Sequence, residues 1–150
     1  MTKRSASVVW TGDMKTGKGT ISTESRALRS TPYSFQTRFE TQSGTNPEEL
    51  IAAAHASCFS MAVAFELGKR GLKAESIEAQ AEVSLAKEAD GVRVTGSHLA
   101  VSVQVPGAED AQVDKALDTA KRNCPISKLL NVPITLEKKG GTSPPLQATA

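Results

Sequence analysis

The sequence predicts an α+β fold in which two helices pack on antiparallel sheet, and three observations support this prediction. Period-two alternation of apolar and polar residues, typical of β-strands, occurs before residue 45 and again at 76–87 and 92–105. Two longer segments, beginning at Asn46 and near Glu109, have the caps or the apolar face of helices. The resulting order, β-β-β-α-β-β-α-β, groups strands and helices as α+β proteins do.

The composition is that of a soluble globular protein. The chain has 150 residues, of which 39% are hydrophobic and 23% are charged, which is enough for one domain with a core. We predict one domain at 1–139 and a flexible tail at 140–150, where the sequence is "GGTSPPLQATA".

Charge and hydropathy exclude several classes of partner. The formal net charge is only +2, with acids and bases interleaved, so we expect no nucleic-acid binding. The longest apolar stretch, residues 50–65, contains His and Ser and is shorter than a membrane span needs, so we expect no membrane association. Because no N-terminal segment has the form of a signal peptide, we expect the protein to be located in the cytoplasm.

The N-terminal part contains the letters of a phosphate-binding loop, G-x-x-x-x-G-K-G-T, from Gly12 to Thr20. Such a loop requires a helix directly after it, because the helix N-terminus binds the phosphate. Here "ISTESRALRS" follows, which favours strand and turn, so we expect a β-hairpin loop. Nucleotide binding is kept as a minor hypothesis, which requires ATP binding that Lys18→Ala removes.

The next two elements are predicted from alternation and from capping. In "YSFQTRFET", Phe35, Thr37 and Phe39 alternate with polar residues, which predicts a third strand. Asn46 as N-cap, Pro47 at the first position and Glu49 for a capping box predict a helix with stops at Gly68 and Gly71, apolar around most of its circumference and therefore buried and central.

The C-terminal part is predicted as a hairpin, a helix and a last strand. The strands at 76–87 and 92–105 flank a turn at Gly91. An amphipathic helix over 109–123 has Val113, Leu117 and Ala120 on one face, followed by a short turn in "ISKLL" and a strand in "PITLEK".

Two cysteines are the candidate reactive groups. Cys58 and Cys124 lack CxxC spacing and have no histidines at metal-site intervals. A structural disulfide is not expected in a reducing compartment, so they are either inert core thiols or a redox pair. Their spacing in sequence does not distinguish the two.

Four blocks of the sequence, spanning about residues 8–137, resemble the OsmC family of bacterial hydroperoxide reductases, and its OsmC branch more than its Ohr branch. The blocks are "W-x-GDMKTGKGTISTES", "YSFQTRFE", "GTNPEELIAAAHASCFSMA" and "CPIS". The resemblance implies an intertwined homodimer in which antiparallel sheets wrap two central helices. It also implies a peroxidase of oxidative or osmotic stress that uses no metal, haem or flavin cofactor.

The resemblance assigns roles to four residues. Cys58 matches the peroxidatic cysteine, and Cys124 matches the resolving cysteine that forms a disulfide with it. Arg38 matches the arginine that lowers the thiol pKa, and Glu48 matches the acid that orients this arginine. For His55 we expect a structural role. The reductant implied is an external dithiol, such as a lipoylated protein.

Helical geometry gives a separate expectation. Glu48 and Cys58 are ten residues apart on the predicted helix, a rise of about 15 Å along a straight axis. An Arg–Glu pair at the sulfur therefore requires a bent helix or groups from a second subunit, and we predict a site at a dimer interface.

Two function hypotheses follow. The first is a thiol peroxidase that reduces organic hydroperoxides, and hydrogen peroxide less well, with apolar residues such as Phe39, Phe59, Met61 and Phe65 near the site. The second is a non-catalytic binding or structural dimer of the stress response, whose cysteines only pack. Loss of two thiols per chain on treatment with a hydroperoxide distinguishes them.

Overall fold

The computed structural model describes residues 1–140, and the predicted tail lies outside the described residues from position 141 onward. The chain is α+β, as predicted, and contains two three-stranded sheets. It divides into two compact units, Met1–Leu50 and a second that begins at Ile51.

The first unit contains an antiparallel sheet in the order β1-β2-β3. Its strands are β1 (Ala6–Thr11), β2 (Lys18–Thr23) and β3 (Thr31–Tyr33). The hairpin predicted between the first two strands is confirmed. Every residue of β1 is exposed, although the Trp10 ring still packs on the Tyr33 ring, with ring centroids 5.4 Å apart.

The loop between β1 and β2 is built as a turn. The Asp13 carboxylate accepts hydrogen bonds from the backbone N–H groups of Lys15 and Thr16, both at 2.9 Å. Gly12 has φ +92°, and a Cβ at Gly17 would lie 2.3 Å from the Asp13 carbonyl oxygen, so both glycines are required by the turn. Because a strand follows the loop, the helix N-terminus that a phosphate loop needs is missing.

The third predicted strand is wrong, because residues Phe35–Phe39 form a short helix, α1. Ser34 caps this helix: its hydroxyl accepts from the Thr37 N–H at 3.3 Å, and the Thr37 hydroxyl accepts from the Ser34 N–H at 2.9 Å. This reciprocal capping box satisfies two N–H groups that a strand would have to pair with a neighbouring strand. The true third strand, β3, lies just before it.

Helix α2 (Pro47–Lys69) begins and ends where the sequence predicts. The Asn46 side-chain oxygen accepts from the Glu49 N–H at 2.9 Å, as an N-cap does. The Glu49 carboxylate accepts from the Thr45 hydroxyl at 3.2 Å, outside the predicted capping box. At the C-terminus Gly71 has φ +70°, a conformation typical of a helix stop.

The prediction that α2 is buried on most sides is wrong within a single chain. Phe59 and Val63 are fully buried, whereas Met61 and Phe65 are 77% and 67% exposed. By length and composition alone α2 could cross a membrane, contrary to the sequence expectation, but core helices of soluble proteins pass the same test. An apolar face of α2 is therefore left without a partner among residues 1–140.

The second unit contains a mixed sheet in the order β4-β5-β6. Its strands are β4 (Ser76–Glu88), β5 (Gly91–Gln104) and β6 (Ile134–Lys138). The predicted β4–β5 hairpin is confirmed, but β6 pairs with β5 in parallel, so the prediction of purely antiparallel sheets is wrong for this pair. The chain crosses over through α3 (Asp110–Asn123) and α4 (Pro125–Leu129), and such a crossover is what allows parallel pairing.

The core of the second unit lies between α2, α3 and β5. Helix α3 buries the predicted face, including Val113, Leu117 and Ala120. Full burial of a Leu or Phe side chain contributes about 1.5–3 kcal/mol to the free energy of unfolding. The fully buried Cys124 belongs to this core, and the half-buried Cys58 packs against it.

Candidate active site: a dithiol pair and an arginine–glutamate pair

The two cysteines meet in the second unit. Cys58 lies on α2, and Cys124 stands between the end of α3 and the start of α4. Both are free thiols; Cys58 packs against the core cluster that contains Cys124, and the Cys124 thiol is close enough to raise the pKa of Cys58. The fold therefore brings together two thiols that are 66 residues apart in sequence.

The surroundings of Cys58 do not activate it within its own unit. Burial raises the pKa of the Cys58 thiol, and the neighbouring Cys124 thiol raises it further. The backbone N–H of Ile126 donates to the sulfur and opposes this rise in pKa. No cationic side chain of residues 51–140 lowers the pKa of this thiol, so a reactive thiolate requires a cation from elsewhere.

Arg38 and Glu48 form a close ion pair in the first unit. Arg38 lies in the last turn of α1 and Glu48 in the first turn of α2. The guanidinium Nη2 is 2.7 Å from Glu48 Oε1, and Nε is 3.1 Å from Oε2. This hydrogen bond raises the pKa of Arg38 further above its usual range.

The pair leaves one edge of the guanidinium available. Glu48 is only 8% exposed, whereas the Arg38 side chain is 36% exposed. Nη1 of Arg38 has no acceptor among residues 1–140, and the guanidinium lies 5.0 Å from the centroid of the Phe39 ring. The pair therefore holds a permanent cation in a fixed orientation beside an aromatic ring.

An aromatic cavity of about 190 Å³ adjoins Arg38 in the first unit. Its lining residues are Trp10, Met14, Tyr33, Ser34, Phe35, Arg38 and Phe39. Sequence reasoning named only Phe39 among these aromatic residues. It also placed Phe59 near the site, but Phe59 is fully buried in the core of the second unit. The sequence does contain a signal for this aromatic cavity, because four of the six aromatic residues of the chain occur before residue 40.

His55 is buried and hydrogen-bonded on both sides. Its Nδ1 is 2.7 Å from the Ser97 hydroxyl, and its Nε2 is 2.8 Å from the Ser127 hydroxyl. Burial lowers the pKa of His55, so the imidazole is neutral near pH 7. Among residues 1–140 no cluster of three or more His, Cys, Asp or Glu side chains is arranged to hold a metal ion.

The predicted site residues thus form two pairs. Cys58 and Cys124 form one in the second unit, and Arg38 and Glu48 form the other in the first. The fold and the dithiol pair define a class: α+β proteins whose two cysteines meet between a long helix and a short helical turn.

The chain belongs to the OsmC family, as its sequence resemblance predicts. The family model described as "OsmC-like protein" matches residues 40–137. The chain is 50% identical over 128 residues to the protein of Escherichia coli named peroxiredoxin OsmC. The aligned region covers 85% of this chain and 90% of that protein. It is 38% identical over 103 residues to the organic hydroperoxide resistance protein OhrB of Bacillus subtilis, and the aligned region covers 67% of this chain and 74% of that protein.

Solved structures have the same fold. The crystal structure of Bacillus subtilis OhrB matches with a TM-score of 0.70 and 27% identity, and covers 90% of this chain and 98% of that one. An OsmC-like protein of Vibrio cholerae matches with a TM-score of 0.73 and 21% identity, covering 92% and 99%. The predicted α+β, OsmC-like fold is therefore confirmed.

Proposed function

We propose that this protein is a thiol peroxidase that reduces organic hydroperoxides, and hydrogen peroxide less well. One observation carries the proposal: the free thiol of Cys58, on α2, packs against the core cluster that contains Cys124, and the Cys124 thiol is close enough to raise the pKa of Cys58. Relatives named peroxiredoxin and organic hydroperoxide resistance protein support the same class of reaction.

The reaction proceeds in two steps. The Cys58 thiolate attacks one oxygen of the hydroperoxide, the O–O bond breaks, and the alcohol leaves with a proton, so that Cys58 becomes a sulfenic acid. The Cys124 sulfur then attacks the Cys58 sulfur, and the sulfenic hydroxyl leaves as water with the proton of the Cys124 thiol. An external dithiol, such as a lipoylated protein of the cytoplasm, reduces the resulting disulfide.

Arg38 and Glu48 serve the first of these steps. The raised pKa of Cys58 is compensated by a guanidinium close to the sulfur, which also stabilises negative charge on the departing oxygen. The spare Nη1 edge and the burial of Glu48 support this role.

The enzyme is proposed to act as a homodimer with groups from both chains at each site. Exposed apolar side chains on α2 (Met61 and Phe65) and on β1 (Val8 and Val9) support a second copy as their cover. Helix α2 is uninterrupted, so the rise of about 15 Å between Glu48 and Cys58 remains an argument for a contribution from the partner.

Thiol titration tests the proposed function. Cumene hydroperoxide added to the reduced protein should remove two thiols per chain as an intramolecular disulfide. Cys58→Ser should abolish peroxide consumption. Cys124→Ser should still react once and then overoxidise at Cys58 with excess peroxide. If the wild-type protein retains both thiols, the non-catalytic dimer becomes the better hypothesis.

A further inference from the structure

The buried His55 connects three elements of the second unit. It lies on α2, and its two hydroxyl partners lie on β5 (Ser97) and on α4 (Ser127). All three side chains are nearly or fully buried: His55 is 0%, Ser97 2% and Ser127 7% exposed. A buried imidazole nitrogen without a partner costs about 1–3 kcal/mol, so both hydrogen bonds hold their elements together.

The bond to Ser127 runs beside the contact between the cysteines. His55 is one helical turn before Cys58 on α2, and Ser127 is three residues after Cys124. The same two segments are thus joined twice, once by His55–Ser127 and once by the thiol pair. Ile126, between Cys124 and Ser127, also donates its N–H to the Cys58 sulfur.

We infer that His55 and Ser127 are a positioning pair that holds α4 against α2 and so keeps the Cys124 sulfur in place to attack Cys58. The inference rests on the proposed function for the sulfenic acid at Cys58. The hydrogen bonds of His55 go to hydroxyls rather than to a sulfur, so the pair acts through α4. The step it serves is disulfide formation with release of water, whereas the first reaction with peroxide does not need it.

The chain offers a matched pair of variants. Ser127→Ala and Ser97→Ala each remove one hydroxyl and leave one nitrogen of the same imidazole unpaired. Only Ser127 connects His55 to α4. A purely structural role would therefore affect both variants alike, whereas a positioning role would affect disulfide formation mainly in Ser127→Ala.

Rapid mixing with one equivalent of cumene hydroperoxide, followed by trapping of the sulfenic acid, measures the two steps separately. Ser127→Ala should react with peroxide at the wild-type rate but form the disulfide about tenfold more slowly. This factor corresponds to the free energy of one lost hydrogen bond. Excess peroxide should then overoxidise more Cys58. Ser97→Ala should form the disulfide within about twofold of the wild-type rate. Ser127→Thr keeps the hydroxyl and should therefore form the disulfide at the wild-type rate.

Equilibration with reduced and oxidised glutathione gives a measurement without peroxide. Ser127→Ala should lower the equilibrium constant for the Cys58–Cys124 disulfide by about the same tenfold. If Ser127→Ala folds poorly, Ser127→Gly also removes only the hydroxyl on α4 and provides the same comparison. Equal effects of Ser127→Ala and Ser97→Ala, or none in Ser127→Ala, would overturn the inference. A wild-type protein that forms the disulfide with glutathione but not with peroxide would instead reject the proposed function.

Discussion

At the scale of the residue, the reactivity of Cys58 is set by its surroundings. Burial and a second thiol both raise its pKa, and a single backbone N–H opposes them. A thiol in such a place is a poor nucleophile at neutral pH unless a cation approaches it. Arg38, held by Glu48, has such a cation, with a guanidinium edge that has no acceptor among residues 1–140.

We therefore predict that Arg38→Ala slows peroxide consumption by about 10²–10³-fold, the usual effect of removing one donor that stabilises a developing charge. The pH dependence of Cys58 alkylation should shift to higher pH, because the thiolate loses its cation. Arg93→Ala is the matched control, since it breaks an exposed pair with Glu88 on the β4–β5 hairpin. Equal rates for wild type and Arg38→Ala would remove Arg38 from the reaction.

His55 predicts a pH dependence of stability. Its pKa in the folded protein is lowered from the ordinary value of 6.5, so the unfolded chain binds more protons just below that value. The stabilisation by neutral His55 is complete above pH 6.5 and is lost as the pH falls toward the lowered pKa. The melting temperature should fall between pH 7.5 and pH 5.5, and less so in His55→Gln.

At the scale of the element, capping hydrogen bonds determine whether residues 35–39 form a helix or a strand, which the alternation of apolar and polar residues does not determine. Residues 35–39 alternate apolar and polar side chains, yet they also place Phe35 and Phe39 one helical turn apart, with ring centroids 4.9 Å apart. Five residues are too few for periodicity to distinguish a strand from a helix. The Ser34–Thr37 capping box favours the helix, and this helix carries Arg38.

Ser34→Ala should destabilise the protein by about 0.5–2 kcal/mol, the usual effect of losing an N-cap. Because α1 carries Arg38, peroxide consumption should fall as well. Urea unfolding and a peroxide assay measure both effects. Ser43→Ala, in the same unit and without a side-chain hydrogen bond among residues 1–140, should change neither.

At the scale of the whole molecule, residues 1–140 of one chain leave apolar surface uncovered. Met61 and Phe65 on α2 are mostly exposed although they lie on the longest apolar helix of the described residues. The proposed homodimer would bury this face, and the same association would supply cationic groups to Cys58.

Phe65→Glu should convert the proposed dimer to a monomer, because a carboxylate buried in an apolar interface is strongly unfavourable. Analytical ultracentrifugation should show two chains per particle for the wild type and one for the variant, with peroxide consumption reduced. Val92→Glu, at the tip of the β4–β5 hairpin, is a control in which an exposed apolar residue also gains a charge. A wild type that sediments as a single chain would contradict the proposed dimer.

The elements whose signals are local can be predicted from the amino-acid sequence. The N-cap of α2, the β4–β5 hairpin and the buried face of α3 depend on neighbouring residues, and all were predicted. Family resemblance also indicates the four candidate site residues.

Contacts between groups that are distant in sequence are visible only in the folded protein. Cys58 and Cys124 are 66 residues apart in sequence, and no periodicity specifies that the turn after α3 returns to α2. The parallel pairing of β6 and the two bonds of His55 are likewise contacts between remote segments. Such contacts depend on how whole elements pack, whereas caps and turns depend on a few adjacent residues, and this is why the sequence predicted the elements better than the contacts between them.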